Sequence, residues 1–335
     1  MALKVAITGF GRIGRCVARI IEDRDDMELV VVNDTTAPEM TKYLLKYDSV
    51  HGTFKGDVEL LEDDYIQIGK SKVKFLNDRD PKKLDFAKYG AELLLECTGA
   101  FYTQEKAQVY IDMGIKKVLF SAPAKDKETP TFVMGVNEEE YAGQTIVSNA
   151  SCTTNCLAPV TKVIDDIFGI DKGLVTTVHS YTNDQNILDV KHSKDPRRAR
   201  AAAVNMIPTT TGAAKAIGLV MPHLQGKLNG QSIRVPTPNV SMIDLNVIIK
   251  KDATKEEVNA AFEAAEKGKM KGYLEVDYDN RVSSDFVGSP ISAIVAGDLT
   301  QVVDGNFVKV MAWYDNEWGY SCRLVDMAAH ITKGA

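Results

Sequence analysis

The chain has 335 residues, 44% hydrophobic and 26% charged, which is long for one domain and enough to bury the cores of two. Lys and Arg number 40 against 46 acids, a net charge of −6, and this disfavours a general polyanion binder, since nucleic-acid affinity rests on a clustered positive surface. No apolar run has the length of a membrane span, the N-terminus reads as a strand and not a leader, and five cysteines over this length form no disulfide framework, so free thiols in a reducing cytoplasm are expected.

The first 150 residues alternate β-branched runs with helical patterns. Strands are expected at Leu3 to Thr8, Leu29 to Asn33, Leu93 to Cys97, Lys117 to Ser121 and Thr145 to Ser148. Between the first two, Ile13, Cys16, Val17, Ile20 and Ile21 fall on one stripe of an amphipathic helix. Such alternation implies parallel strands joined by right-handed crossovers, the doubly wound α/β class.

After Ser151 the texture changes. A helix carrying Leu157, Val160, Val163, Ile164 and Ile167 tolerates Pro159 near its start. Longer strand-like stretches follow at Leu174 to Tyr181, Val240 to Ile249, Ser292 to Val295 and Phe307 to Tyr314. Asp304-Gly305 signals a hairpin, and Thr254 with Glu257 a capping box. Strands with segregated helices read as an α+β unit on a mostly antiparallel sheet. The expected division is 1–150 for a nucleotide domain and 151–316 for a substrate domain, with the helix of 317–335, through Tyr320, Leu324, Ala328 and Ile331, packing back on the first.

Two motifs carry chemistry. Gly9-Phe10-Gly11-Arg12-Ile13-Gly14 follows a strand and opens a helix, and Asp34 lies about 20 residues on, where a dinucleotide's ribose hydroxyls belong. A pyrophosphate needs bare backbone N–H groups at a helix start, and a tight turn without a ligand would not require the acid. The Asp34 carboxylate accepts from a 2′-hydroxyl and repels a 2′-phosphate, favouring NAD over NADP.

The second motif is Ser148-Asn149-Ala150-Ser151-Cys152-Thr153-Thr154-Asn155-Cys156, which sets Cys152 at the mouth of a helix, where the dipole field is expected to lower the thiol pKa. Cys156, a turn deeper, reads as core, and no second pair at zinc-like spacing supports a metal. A thiol nucleophile needs a base. His179, ending the apolar strand Val175 to Val178, is favoured, His330 reads as a packing or surface residue, and His51, His192 and His223 stay open on spacing alone.

The glycine loop, the block Ser148 to Leu157, Pro208 to Ala216, Arg234-Val235-Pro236-Thr237-Pro238-Asn239-Val240 and Trp313 to Tyr320 together resemble, end to end, the phosphorylating glyceraldehyde-3-phosphate dehydrogenases. That resemblance implies Cys152 as nucleophile and His179 as base. It implies NAD held by Gly9, Gly11, Arg12, Ile13, Gly14, Asp34, Arg79, Ser121 and Asn316. Two anion pockets would draw on Ser151, Thr153, Thr182, Thr211, Gly212, Arg234 and one of Arg197 and Arg198. It further implies a homotetramer, and oxidation of glyceraldehyde 3-phosphate with inorganic phosphate through a Cys152 hemithioacetal and thioester.

Departures from the family pattern are few. Thr8 stands where many relatives have Asn, and Val190-Lys191 where NAD-using bacterial relatives often have Leu-Pro; a lysine there tolerates a 2′-phosphate. The Thr209 to Lys215 region follows the glyceraldehyde type and not the related erythrose-4-phosphate dehydrogenases. The rival readings are a non-catalytic NAD-binding scaffold, which the joint presence of nucleophile, base and phosphate-binding residues disfavours, and an enzyme for another phosphorylated sugar aldehyde or for NADP.

Overall fold

In the computed structural model, which describes residues 2–193 and 195–333, Leu3–Thr8 forms the first strand, β1. It runs through the glycine loop into α1 (Arg12–Glu22), whose Cys16, Val17 and Ile21 are buried. Then come β2 (Met27–Asn33), α2 (Pro38–Lys46), β3 (Val58–Leu61), β4 (Tyr65–Ile68), β5 (Ser71–Leu76), β6 (Leu93–Glu96), α3 (Gln104–Asp112), β7 (Lys117–Phe120) and β8 (Ile146–Ser148). These strands make one sheet in the order β3-β4-β5-β2-β1-β6-β7-β8. From β5 to β8 every ladder is parallel, as crossover helices require.

The alternation read from sequence implied parallel strands alone, and the 58–76 segment departs from it. Here β3, β4 and β5 pair antiparallel as a meander. Their connections are tight turns, with Asp63 and Asp64 at φ 55° and 56°, and leave no chain for a crossover. Ile66, Ile68, Val73 and Phe75 point inward with strand period. The centre of the sheet matters most for chemistry. β1 lies between β2 and β6, and Thr8 sits in register with Asn33 on one side and Glu96 on the other. The carboxyl ends of these strands flank the switch point at which open α/β sheets bind ligands.

The chain divides into two units at Ser151, and the second runs from Cys152 to Tyr320. It contains α4 (Cys152–Phe168), β9 (Ile170–Ser180), β10 (Ile207–Thr210), α5 (Ala213–Val220), β11 (Leu228–Val235), β12 (Ser241–Ile249), α6 (Lys255–Lys267), β13 (Leu274–Asp277), β14 (Ala293–Ala296), β15 (Gln301–Val303) and β16 (Phe307–Tyr314). The sheet order is β10-β11-β9-β12-β16-β14-β13, with β15 on β16. Only β9 with β11 and β13 with β14 pair parallel. α4 lies on this sheet, packing Leu157, Val160 and Ile164 in a core shared with Ile243, Leu245 and Val247. It runs on through Pro159, whose missing N–H costs one helical hydrogen bond. Asp304 and Gly305 turn the β15–β16 hairpin with φ of 51° and 76°. Thr254 caps α6 reciprocally with Glu257, at 3.2 and 2.8 Å.

The last helix, α7 (Trp318–Thr332), joins the first unit from Ser321 onward. There Leu324, Ala328 and Ile331 are buried, Tyr141 donates its hydroxyl to the Ile331 carbonyl at 3.0 Å, and Arg24 pairs with Asp326 at 2.9 Å. Among the described residues no helix is long and apolar enough to cross a membrane.

Candidate active site

In the first unit, the ends of β1, β2 and β6 open on a cavity of about 420 Å³ lined by Gly9, Gly11, Asp34, Arg79, Thr98 and Phe101, among others. The three glycines divide the work. Gly9 has φ +86°, and a Cβ there would fall 2.6 Å from the Cys97 backbone. A Cβ on Gly14 would fall 2.4 Å from the Gly9 carbonyl oxygen, so only glycine lets helix and loop close up. A Cβ on Gly11 would meet nothing within 4 Å and would fill the open cradle that a pyrophosphate needs. The residues present therefore fit a dinucleotide.

Asp34 accepts from Phe10 N at 2.6 Å and Thr36 N at 2.8 Å, so it fastens the glycine loop while keeping lone pairs for a ribose diol. Thr8 accepts from Asn33 Nδ2 at 3.1 Å. Arg12 is held by Asp48 at 2.5 Å. Burial pushes the Asp48 carboxyl up, yet the His51 and Val50 amides and Arg12 together hold it down at about 2. Ile13 is half-buried in the first turn of α1, Arg79 is exposed, and Ser121 Oγ lies 3.0 Å from Tyr102 OH. Asn316 belongs to the second unit, where it is buried and accepts from Ser241 Oγ at 2.8 Å.

Sequence reasoning passed over Glu96. It is fully buried beneath the cavity's Thr98 and Tyr110, accepting from Thr98 N at 2.7 Å, Thr98 Oγ1 at 2.5 Å and Tyr110 OH at 3.3 Å. Burial raises it to about 7. The available signal was an acid ending an apolar strand beside Thr98-Gly99.

In the second unit Cys152 and His179 come together. Cys152 opens α4 just after Ala150, a non-glycine residue held at φ 55°, so the chain enters the helix through a strained turn. Val175, Thr177 and His179 alternate inward along β9, which brings the last of them under the start of α4. His179 Nε2 lies 3.5 Å from Cys152 Sγ. None of the other four histidines has a hydrogen bond of this kind to the thiol among the described contacts, and His223 is paired with Asp165 and His330 with the Glu138 carbonyl.

Arg234 stands beside His179 by strand register, β11 against β9, and Arg234 Nη1 reaches His179 Nδ1 at 2.7 Å. Burial and the Arg234 charge pull His179 down to about 3, so the ring is neutral at physiological pH. The thiol departs from expectation. Burial pushes Cys152 up from its ordinary value, against the downward pull of Arg234 and the Thr153 donors. Desolvation of the sulfur thus outweighs the charge and the donors around it. Cys156 is pushed much further up and lies sealed in the core.

Tyr314 organises the pair, and its signal was an inward position at the end of a strand with a polar tip. Its ring meets His179 edge-on at 5.9 Å, and its hydroxyl lies 2.9 Å from both Thr153 Oγ1 and Thr177 Oγ1. Thr153 therefore turns its hydroxyl into this buried chain. Ser151 is half-buried just before the helix. Thr211 and Gly212 precede α5, where a Cβ on Gly212 would meet only open space. Arg198 is half-buried, bonded to Asp184 at 2.7 Å and Thr209 Oγ1 at 2.8 Å, and the Asp184 amide reaches Thr182 Oγ1 at 3.4 Å. Arg197 is exposed.

The glycine-rich dinucleotide cradle of the first unit is that of an NAD-dependent dehydrogenase, and the second unit holds a buried thiol–imidazole–guanidinium group. Residues 3–104 match the family model for the glyceraldehyde 3-phosphate dehydrogenase NAD binding domain, and residues 151–316 that for its C-terminal domain. Glyceraldehyde-3-phosphate dehydrogenase 2 of Bacillus subtilis (strain 168) is 51% identical over 333 residues, 99% of this chain and 97% of that protein. The Geobacillus stearothermophilus glyceraldehyde-3-phosphate dehydrogenase is 51% identical over 335 residues, 99% of both. Chloroplastic glyceraldehyde-3-phosphate dehydrogenase B of Pisum sativum is 52% identical over 97% of this chain and 73% of its own length. The chain belongs to the glyceraldehyde-3-phosphate dehydrogenase family.

Proposed function

We propose that this member of the family, an NAD-dependent oxidoreductase, converts glyceraldehyde 3-phosphate and inorganic phosphate to 1,3-bisphosphoglycerate with Cys152 as nucleophile and His179 as base. The observation that carries the reading is the 3.5 Å contact of Cys152 Sγ with a neutral, buried imidazole, with Arg234 at its other nitrogen. The Cys152 thiol gives its proton to His179 Nε2 as sulfur attacks the aldehyde carbon, and the ring hands that proton on to the alkoxide oxygen, forming a neutral hemithioacetal and freeing Nε2 again. Bound NAD supplies the hydride acceptor. His179 takes the hydroxyl proton as the carbonyl re-forms, and a thioester remains on Cys152. Inorganic phosphate then displaces the sulfur, giving an acyl phosphate and restoring the thiol.

Two anions must be held, the substrate's own phosphate and the attacking one, and a guanidinium fork suits both. Arg234, Thr211, Gly212 and Ser151 supply donors for one or both pockets, whereas the Thr153 hydroxyl, expected there from the sequence, is taken up by Tyr314. Arg198 is the better of the paired arginines for the Thr182 side, because Asp184 and Thr209 fix its orientation. We assign 1–150 with the terminal helix to NAD binding and 151–316 to substrate. We further assign the chain to a homotetramer in the cytoplasm, with neither nucleic acid nor membrane as its primary partner. Steady-state rates with glyceraldehyde 3-phosphate, with and without phosphate and with NAD or NADP, test the reaction. Cys152→Ser is expected to lower kcat by at least about 10⁴-fold. Calorimetry should find its NAD affinity unchanged, and residual turnover within tenfold of the wild type overturns the assignment.

A further inference from the structure

A chain of polar side chains runs beneath the cavity of the first unit. Glu96, at the end of β6, takes both Thr98 donors on one oxygen, Oε1, the amide at 2.7 Å and the hydroxyl at 2.5 Å. Its other oxygen, Oε2, meets Tyr110 OH at 3.3 Å. Tyr110 OH bonds in turn to Thr8, whose Oγ1 accepts from Asn33 Nδ2 at 3.1 Å. Asn33 Oδ1 continues the run by accepting from the Asp78 amide at 3.1 Å. Thr98, Tyr110, Thr8, Asn33 and Asp78 all line the cavity, and Glu96 is fully buried behind them. The Thr98 end is tight, because a Cβ on Gly9 would fall 2.6 Å from Thr98 N. Whatever holds Thr98 therefore also holds the wall on which the glycine turn rests.

With two donors already on Oε1, a proton on the carboxyl belongs on Oε2. There it donates to Tyr110 OH, and Tyr110 passes its own hydrogen to Thr8. When the carboxyl is ionised, Oε2 accepts from Tyr110 instead. The chain satisfies either state, and occupancy of the cavity distinguishes them. A dinucleotide strips water from Thr98 and Tyr110 and sets a pyrophosphate dianion in the same cavity, and both effects disfavour a further negative charge beneath it.

We propose that Glu96 is a positioning residue for the coenzyme, clasping the Thr98 wall of its seat and taking up a proton from solvent when the seat is filled. By linkage, the protonated clasp binds the dinucleotide more tightly than the ionised one. A carboxyl that sits at about 7 is poised for this exchange near neutrality. The titratable groups packed around it are Lys125 from the segment after β7, Tyr110 on α3, and Cys97 and Tyr102 after β6. Its register partners, Thr8 on β1 and Phe120 on β7, do not titrate. Burial pushes the Cys97 thiol up to about 12 and raises both phenols, so these three stay neutral where the carboxyl changes charge. The inference rests on this cavity being the coenzyme seat and is independent of the chemistry at Cys152.

The probe is ADP-ribose, which carries the adenosine and pyrophosphate of the coenzyme and no nicotinamide, so the thiol site does not enter the measurement. Calorimetry on the full-length, coenzyme-free protein in buffers of different ionisation heat counts the protons taken up on binding. If filling the seat makes the carboxyl tenfold harder to ionise, the wild type takes up about half a proton per chain at pH 7.5. Its affinity then falls about tenfold from pH 6 to pH 9. Glu96→Gln, whose amide donates to Tyr110 as the acid does, should take up no proton and bind at every pH with the affinity of the protonated wild type. A wild type that takes up no proton overturns the proposal without reference to any variant. So does a Glu96→Gln protein that keeps the wild-type proton count, or one that weakens binding by the same factor at every pH, as a merely structural clasp would. Gly11→Val, with its side chain in the cradle, tests the seat. ADP-ribose bound there as in the wild type removes the seat and the proposal together, whereas lost binding there with an unchanged proton count in Glu96→Gln removes the proposal alone.

Discussion

Glu96 carries the strongest pH consequence of any single side chain outside the thiol site. Its carboxyl sits at about 7 in the folded protein, well above an unfolded glutamate, with Lys125 the cation acting on it and Cys97, Tyr102 and Tyr110 the other titratable neighbours. The folded state thus holds a proton that the unfolded state releases. Stability is greatest below the unfolded pKa, falls as pH rises toward 7 and is level above, with a loss on the order of 3 kcal/mol. Glu96→Gln keeps an oxygen for both Thr98 donors and offers its amide to Tyr110, so its urea-unfolding free energy should be flat from pH 5 to 7.5. A variant that kept the wild-type slope would assign that slope elsewhere. The place of Cys152 at a helix mouth was legible in the sequence because a strand, a polar turn and a helix start adjoin in the chain. Its raised pKa was not, because desolvation depends on what packs around the sulfur. The Arg234–His179 contact was equally hidden, since it joins positions 55 residues apart through the register of two parallel strands.

At the level of elements, pattern reading succeeded where one period dominates. α1, β16 and α6 each bury one regular face, β1 is a short run buried on both, and their signals are local. The short strands β3, β4, β10 and β13 were missed. Each has only four residues, half of them turned outward, so neighbouring strands and not their own composition fix them. The α6 cap is an element with a measurable share of stability. Thr254→Ala removes the Oγ1 acceptor of the Glu257 amide and should cost about 1 kcal/mol in urea unfolding, with activity unchanged. Thr254→Ser should restore most of it, and no loss in Thr254→Ala would mean that packing alone holds the helix start.

On the scale of the whole molecule, the second unit leaves apolar side chains in water. Ile187 is 85% exposed, Leu188 74%, Val204 77% and Met206 75%, all on one stretch that folds back on itself through a Val190 N to Ala199 O hydrogen bond. A monomer seldom exposes so concentrated an apolar surface, which supports burial against another subunit. Sedimentation should find four chains per particle for the wild type and a smaller particle for the double variant Ile187→Asp, Met206→Asp. A wild-type monomer, or an unchanged particle in the variant, would exclude this stretch as a subunit contact. The change in sequence texture near residue 151 was legible, and the second unit begins at Cys152. The identity of this apolar stretch was not, because exposure is a property of the folded chain.

The short bond from the Phe10 amide to Asp34 sets a condition on redesign. The carboxylate expected to discriminate between the two nicotinamide coenzymes is also the clasp that closes the glycine turn. Replacing it to admit a phosphorylated ribose would loosen the very seat being re-tailored. An engineer would have to supply a new acceptor for that amide before any gain in coenzyme tolerance survived as tight binding.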